Sequence, residues 1–137
     1  AKMLYAVASA TVPKFTVVVR KGYGAGYYVM NGRAYAPDLL VAWPGAEIGV
    51  MGPEGIVSIA ARKILQAAES PEAAKAMKEE MAKQLRAHIS IYRTAAMAMV
   101  DDVIDPRDTR RLLARALKRT LNKHVERPVR RREITPV

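Results

Sequence analysis

Apolar positions in this chain fall into short continuous runs and helical stripes, and the two kinds alternate. Leu4, Val7 and Ala8 share one side of the Ala-rich stretch Ala1–Ala10 and predict the end of a helix. No cap precedes it, so the pattern predicts a longer parent chain. Pro13 bars further helix, and the β-branched run Phe15–Val19 predicts a buried strand, covered on both faces. Gly22-Tyr23-Gly24-Ala25-Gly26 predicts a sharp turn, with a short helix starting in the residues after it. Asn31-Gly32 marks another turn. Leu39–Trp43 and Glu47–Met51 predict two further strands, separated by Pro44-Gly45.

Longer periodic segments follow. Gly52-Pro53-Glu54 opens a helix with proline early and an acid in its first turn. That helix is expected to reach about Gln66, with Ile56, Ile59, Ala60 and Ile64 on one face. Ser70-Pro71-Glu72 is a second helix start, and Ala74, Met77, Met81, Leu85, His88 and Tyr92 continue it at helical spacing. Met97–Val100 with Val103-Ile104 predicts a short strand around Asp101-Asp102. A last helix is expected after Asp105-Pro106-Arg107-Asp108, with Leu112, Leu113, Ala116, Leu117 and Leu121 inward, and an extended tail from Arg127. Strands alternating with helices place the chain in the α/β class.

Composition narrows the setting. The 137 residues are 50% hydrophobic, enough for a modest domain or part of a larger one. No apolar run reaches the ~20 residues of a membrane-spanning helix, and no secretory leader is visible. Cysteine is absent, which excludes disulfides and thiolate metal sites and fits a cytoplasmic protein. The net charge is +10, but eleven Lys or Arg against two acids lie between Arg107 and Arg132. A basic helix and tail can hold phosphates, so a nucleic-acid-binding module is one alternative. No aromatic residue interleaves the segment to stack on bases, which favours a solvated face or a subunit contact instead.

Side-chain catalysts are few. His88 is expected on the inner side of its helix and His124 at a basic helix end; neither has a ligand partner three or four residues away, so no metal site is indicated. Asp101 and Asp102 are adjacent and would point to opposite faces of a strand, as turn or subunit-contact residues. The glycine segment lacks the last spacing of a dinucleotide fingerprint and is not followed by the lysine of a phosphate loop. On spacing alone, a tight turn that serves packing is the simpler reading. The alternative is a strand-to-helix turn whose backbone N–H groups converge on developing negative charge.

The ordered segments Ala10-Thr11-Val12-Pro13-Lys14, Arg20–Tyr27, Ala42-Trp43-Pro44 and Glu47–Gly52 resemble those of the biotin-dependent carboxyltransferases. This is the family of propionyl-CoA and acetyl-CoA carboxylase beta subunits and related acyl-CoA decarboxylases. Val100-Asp101-Asp102-Val103-Ile104-Asp105-Pro106-Arg107-Asp108-Thr109-Arg110 is similar to a late signature of that family, and Arg127–Val137 to its basic C-terminus. The resemblance implies a crotonase-like superhelix of strand–strand–helix units. Residues 1–137 would form the C-terminal portion of the second, biotin-side domain, with the first domain absent.

The resemblance also implies an activity: carboxyl transfer from carboxybiotin, carried on another protein, to the α-carbon of an acyl-CoA. An acyl-CoA decarboxylase subunit is the alternative within the class. The backbone N–H groups of Ala25 and Gly26 would meet the biotin ureido oxygen. Gly24 belongs to the same turn, although the family's commoner order is Gly-Gly-Ala where this chain has Gly-Ala-Gly. Tyr28 matches a position lining the acyl pocket, and Trp43, Met51 and Gly52 are secondary candidates for the biotin channel. No metal is implied in this segment. Expected partners are the rest of the carboxyltransferase subunit, a biotin carboxylase, a biotin carboxyl carrier protein and further copies of the subunit, without nucleic acid or membrane. The chain alone is expected to be inactive.

Overall fold

The computed structural model describes residues 2–66, 68 and 70–126. Helix α1 (Lys2–Ser9) precedes two strand–strand–helix units. The first is β1 (Phe15–Val18), β2 (Lys21–Tyr23) and α2 (Gly24–Val29); the second is β3 (Leu39–Ala42), β4 (Glu47–Gly49) and α3 (Pro53–Ala60). Then come α4 (Arg62–Gln66), α5 (Pro71–His88), α6 (Ile91–Ala96) and β5 (Asp102–Val103). A 3₁₀ turn at Pro106–Asp108 leads into α7 (Thr109–Thr120).

Each unit gives one strand to each of two parallel sheets. One sheet has the order β1-β3-β5, and the other pairs β2 with β4. Phe15 stands opposite Leu39 in the first, and Lys21 opposite Glu47 in the second. Parallel neighbours need a crossover between them, and the intervening segments with their helices supply it. The mixed α/β winding expected from the resemblance is therefore present.

The buried strand is β3 rather than β1. Leu40, Val41 and Ala42 are at most 1% exposed, whereas β1 buries only Val18 and Val19 is 49% exposed. Position in the sheet decides this: β3 is central, and within the described residues β1 is an edge. Around β3 gather Val18, Tyr27, Ala46, Ile91 and Val100. A second cluster joins Val57 and Ala61 to Ala82, with Met81 and Leu85 packed against them.

Several element boundaries depart from the periodic reading for tertiary reasons. The glycine segment is not all turn, because Lys21–Tyr23 pairs as a strand before the helix starts at Gly24. The helix expected from Pro53 to Gln66 breaks at Ala61, and its buried face carries Val57 and Ala61, while Ile59 and Ile64 are exposed. Helix α5 keeps the expected Ser70 cap, whose hydroxyl accepts from Ala73 N–H, but stops at His88. Ser90 is drawn into a bridge with Glu47, so the backbone leaves the helix before Ile91 restarts it. Tyr92 is consequently exposed, and Ile91 takes the core position. The strand expected around Asp101-Asp102 is present only as β5, and its Met97–Val100 part is a turn, with Ala98 in the left-handed region at φ 57. On α7, Leu117 and Leu121 are exposed rather than inward. The side chain of His88 and the tail from Arg127 lie outside the described residues.

Candidate active site

The site begins where β2 runs directly into α2. Tyr23 is still extended, and Gly24 turns the chain at φ 53. A side chain at Gly24 would be strained by that angle, and its Cβ would lie 2.7 Å from the Val50 carbonyl oxygen. The first N–H groups of a helix have no partner within it. No side chain caps α2, and among the described residues no oxygen accepts from the N–H of Ala25 or Gly26.

Both residues are exposed, and nothing lies within 4 Å of where a Gly26 Cβ would stand. Gly26, with Tyr23, Tyr27 and Met30, borders a cavity of about 580 Å³ whose remaining wall is residues 16–22. The floor of the turn is rigid. Tyr27 is buried, its hydroxyl accepts from Arg33 N–H at 3.1 Å, and its ring fills the space beside Gly22 and Gly32.

The other candidates from the sequence divide into two groups. Gly52 and Met51 lie in the β4–α3 turn, beside the glycine turn: the Tyr23 ring rests against Gly52, and Val50 against Gly24. Tyr28 sits on α2, about half exposed, with its ring edge-on to Tyr27 at 5.7 Å. Trp43 stands apart, because its indole N–H donates to the Thr109 hydroxyl at 3.0 Å and joins the end of β3 to the start of α7. Asp101 makes an internal clamp. Its carboxylate accepts from Leu40 N–H at 2.7 Å and from Arg33 at 2.5 Å.

One cluster has no counterpart in the sequence reading. The Tyr23 hydroxyl donates to Glu47 on the neighbouring strand, and Arg86 of α5 lies 4.0 Å from Glu47 while pairing with Glu54 in the first turn of α3. Burial first, and then the hydrogen bond and charge of Glu47, push the Tyr23 phenol up to about 12. Glu54 is held below the ordinary carboxylate value by its own backbone N–H, with Arg86 adding to the effect. The only sequence signal for this cluster is the two-residue spacing shared by Lys21–Tyr23 and Glu47–Gly49, which becomes meaningful once their pairing register is known.

Among the described residues no group of three or more His, Cys, Asp or Glu could hold a metal, and no helix is long and apolar enough to cross a membrane.

Comparison with known proteins gives the context of this turn. The family model described as "Carboxyl transferase domain" matches residues 1–135. The methylmalonyl-CoA carboxyltransferase 12S subunit of Propionibacterium freudenreichii subsp. shermanii is 47% identical over 96% of the chain and 25% of its own length. A putative propionyl-CoA carboxylase beta chain of Bacillus subtilis (strain 168) is 42% identical over 100% of the chain and 27% of its own length. A transcarboxylase 12S crystal structure, described as a hexamer assembly with methylmalonyl-coenzyme A and methylmalonic acid bound, superposes with a TM-score of 0.83 at 43% identity, covering 98% of this chain and 25% of that one. The chain thus spans about a quarter of the length of these relatives. With nearly every residue matched and the strand–strand–helix winding in common, the chain belongs to the carboxyl transferase domain family, of crotonase-like fold.

Proposed function

We propose that this chain is the biotin-side portion of the second domain of a carboxyltransferase, and that the N–H groups of Ala25 and Gly26 receive the charge that develops on the biotin ureido oxygen. The observation that carries this is the pair of unpartnered, exposed first-turn amides beside a cavity, in a chain whose relatives are carboxyltransferases. The residues present fit the group. The amides have no competing acceptor, and the absent side chain of Gly26 leaves room for a ring to approach.

When bound, carboxybiotin supplies the carboxyl group destined for the α-carbon of an acyl-CoA. The chain's own contribution is electrostatic. Two fixed donors stabilise negative charge without reorganising, and the loss of one such donor typically costs ~3 kcal/mol. Gly24 sets the angle of the donors, while Met51 and Gly52 border them from the adjacent turn. Tyr28 would lie toward the acyl group and limit its size. In this division of labour the protein orients and the carried group reacts.

The full activity requires the remainder of the subunit for the acyl-CoA, a biotin carboxylase and biotin carboxyl carrier protein to deliver the carboxyl group, and assembly with further copies. A cytoplasmic enzyme is the expected setting. The test is a backbone ester at Ala25, introduced as lactic acid in the intact subunit, which removes one N–H and leaves the shape unchanged. Carboxyl transfer should fall about 100-fold in kcat, as for other oxyanion donors. An ester variant with undiminished turnover would show that the charge is received elsewhere.

A further inference from the structure

Resting on that reading, we propose that Tyr23 is a positioning residue for carboxyl transfer: its hydroxyl, anchored on Glu47, fixes the direction in which the Ala25 and Gly26 amides point.

Tyr23 is the last residue of β2 and the residue from which α2 springs, so its backbone sets where the first turn of that helix begins. Gly24, the one residue between it and Ala25, adopts φ 53 and offers no side chain that could be gripped. Tyr27 holds the turn from the helix side, so a hold from the strand side must come before Gly24. The Tyr23 side chain does this in two ways. Its ring lies across the β4–α3 turn, with ring carbons 3.3 and 3.8 Å from the position a Gly52 Cβ would take. Its hydroxyl donates to Glu47, two residues back along the paired strand from Gly49, which stands opposite Tyr23.

Glu47 does not face Tyr23 alone. Arg86 approaches it at 4.0 Å and also pairs with Glu54; Lys21 is close to the cluster, and Lys75, Lys78 and Glu79 line the same pocket as Glu54 and Arg86. The carboxylate is consequently bracketed between a phenol on one strand and a guanidinium on α5. The elements joined are β2, β4, the first turn of α3 and α5. Ser90, just beyond α5, bridges to Glu47 as well, so the same residue is held through both its backbone and its side chain.

A tyrosine serving only the core would need no partner of this kind. Tyr27, four residues on, supplies the buried ring of this unit and satisfies its hydroxyl on a local N–H. Tyr23 reaches instead to a charged acceptor, and hydrogen bonds to charged groups are about twice as strong as neutral ones. Such a bond suits a part that must not drift, because small misplacements of catalytic groups cost rate steeply.

The experiment is a double-mutant cycle in the intact subunit, assayed with its carrier protein and acyl-CoA. Tyr23→Phe should lower kcat about tenfold per folded subunit, with the folded fraction counted by circular dichroism and size-exclusion chromatography, and leave KM for the acyl-CoA within about twofold. In the Ala25 backbone-ester background the Tyr23→Phe penalty should shrink, because one of the two donors it aims is already gone. Glu47→Ala should reproduce the effect through the acceptor, and Glu47→Gln, which still accepts from the phenol, should recover most of the rate. These Glu47 variants carry the test if Tyr23→Phe fails to fold. Penalties that multiply in the double variant, or a Tyr23→Phe enzyme with normal kcat, would overturn the assignment while leaving the amide reading intact. An ester that alone costs nothing would remove the amide reading itself.

Discussion

Gly24 and Gly26 look alike in the sequence but do different physical work. Gly24 is needed for its backbone angle and for the close approach of the Val50 carbonyl, whereas Gly26 has open space where a Cβ would go. Gly24→Ala should therefore destabilise the protein by roughly 1–3 kcal/mol, through a positive φ and a clash with backbone. Gly26→Ala should be neutral or stabilising by ~0.5–1 kcal/mol, since alanine is the better residue within a helix. Denaturation of the two variants checks the contrast, and equal losses would mean that the turn differs from the one described. Tyr23 offers a second check. Its pKa in the folded protein is about 12 against an ordinary value of 10.0, so the protonated phenol is favoured by folding. Its contribution is fully present below pH 10 and is lost as pH rises toward 12, so ultraviolet titration should find one tyrosine ionising well after the exposed ones. The glycine turn was legible from residue types, while its candidate amides came from the family resemblance. The Tyr23 anchor was not legible, because Glu47, 24 residues on, becomes its partner only through the parallel pairing of β2 with β4.

At the scale of elements, local signals served well where one residue type decides the outcome. Ser70-Pro71 starts α5, Asn31 turns at φ 67, and Asp105 caps the 3₁₀ turn through Arg107 N–H. They failed where tertiary contacts overrule periodicity. The stripe from Ala74 to Tyr92 reads as one helix, yet the bridge between Ser90 and Glu47 divides it. Helix α7 shows another such dependence. Lys123, just past its end, pairs with Asp38 at the entry to β3 at 2.7 Å, and Asp38 also accepts from Lys14 N–H. Burial alone would raise the Asp38 pKa, but the hydrogen bonds from Lys123 and Lys14 bring it below its ordinary value of 3.8. A lowered carboxylate pKa contributes stability that is fully present above pH 3.8 and is lost as pH falls through the folded-state value. Asp38→Asn should cost about 1–3 kcal/mol near neutral pH, and the difference from the parent should shrink below pH 3.8. A penalty that persists unchanged in acid would point to packing rather than charge.

At the scale of the whole molecule, much apolar surface is left in view. Ile59 and Ile64 beside the α3–α5 pair, and Leu117 and Leu121 along α7, are exposed in a chain that covers about a quarter of its relatives' length. The family and its crotonase-like winding were readable in the sequence as ordered motifs. Which helix faces would be covered was not, since that depends on residues beyond this chain's own periodicity. On the proposed reading the chain would supply only the biotin-side amides, so the isolated 137 residues should decarboxylate neither malonyl-CoA nor methylmalonyl-CoA; chromatographic assay of the CoA products would expose any turnover. The most direct test is a structure of the intact subunit with biotin bound. The ureido oxygen should lie about 2.7–3.1 Å from the backbone nitrogens of Ala25 and Gly26. A ring seated elsewhere, or those two amides occupied by another stretch of the subunit, would contradict the account.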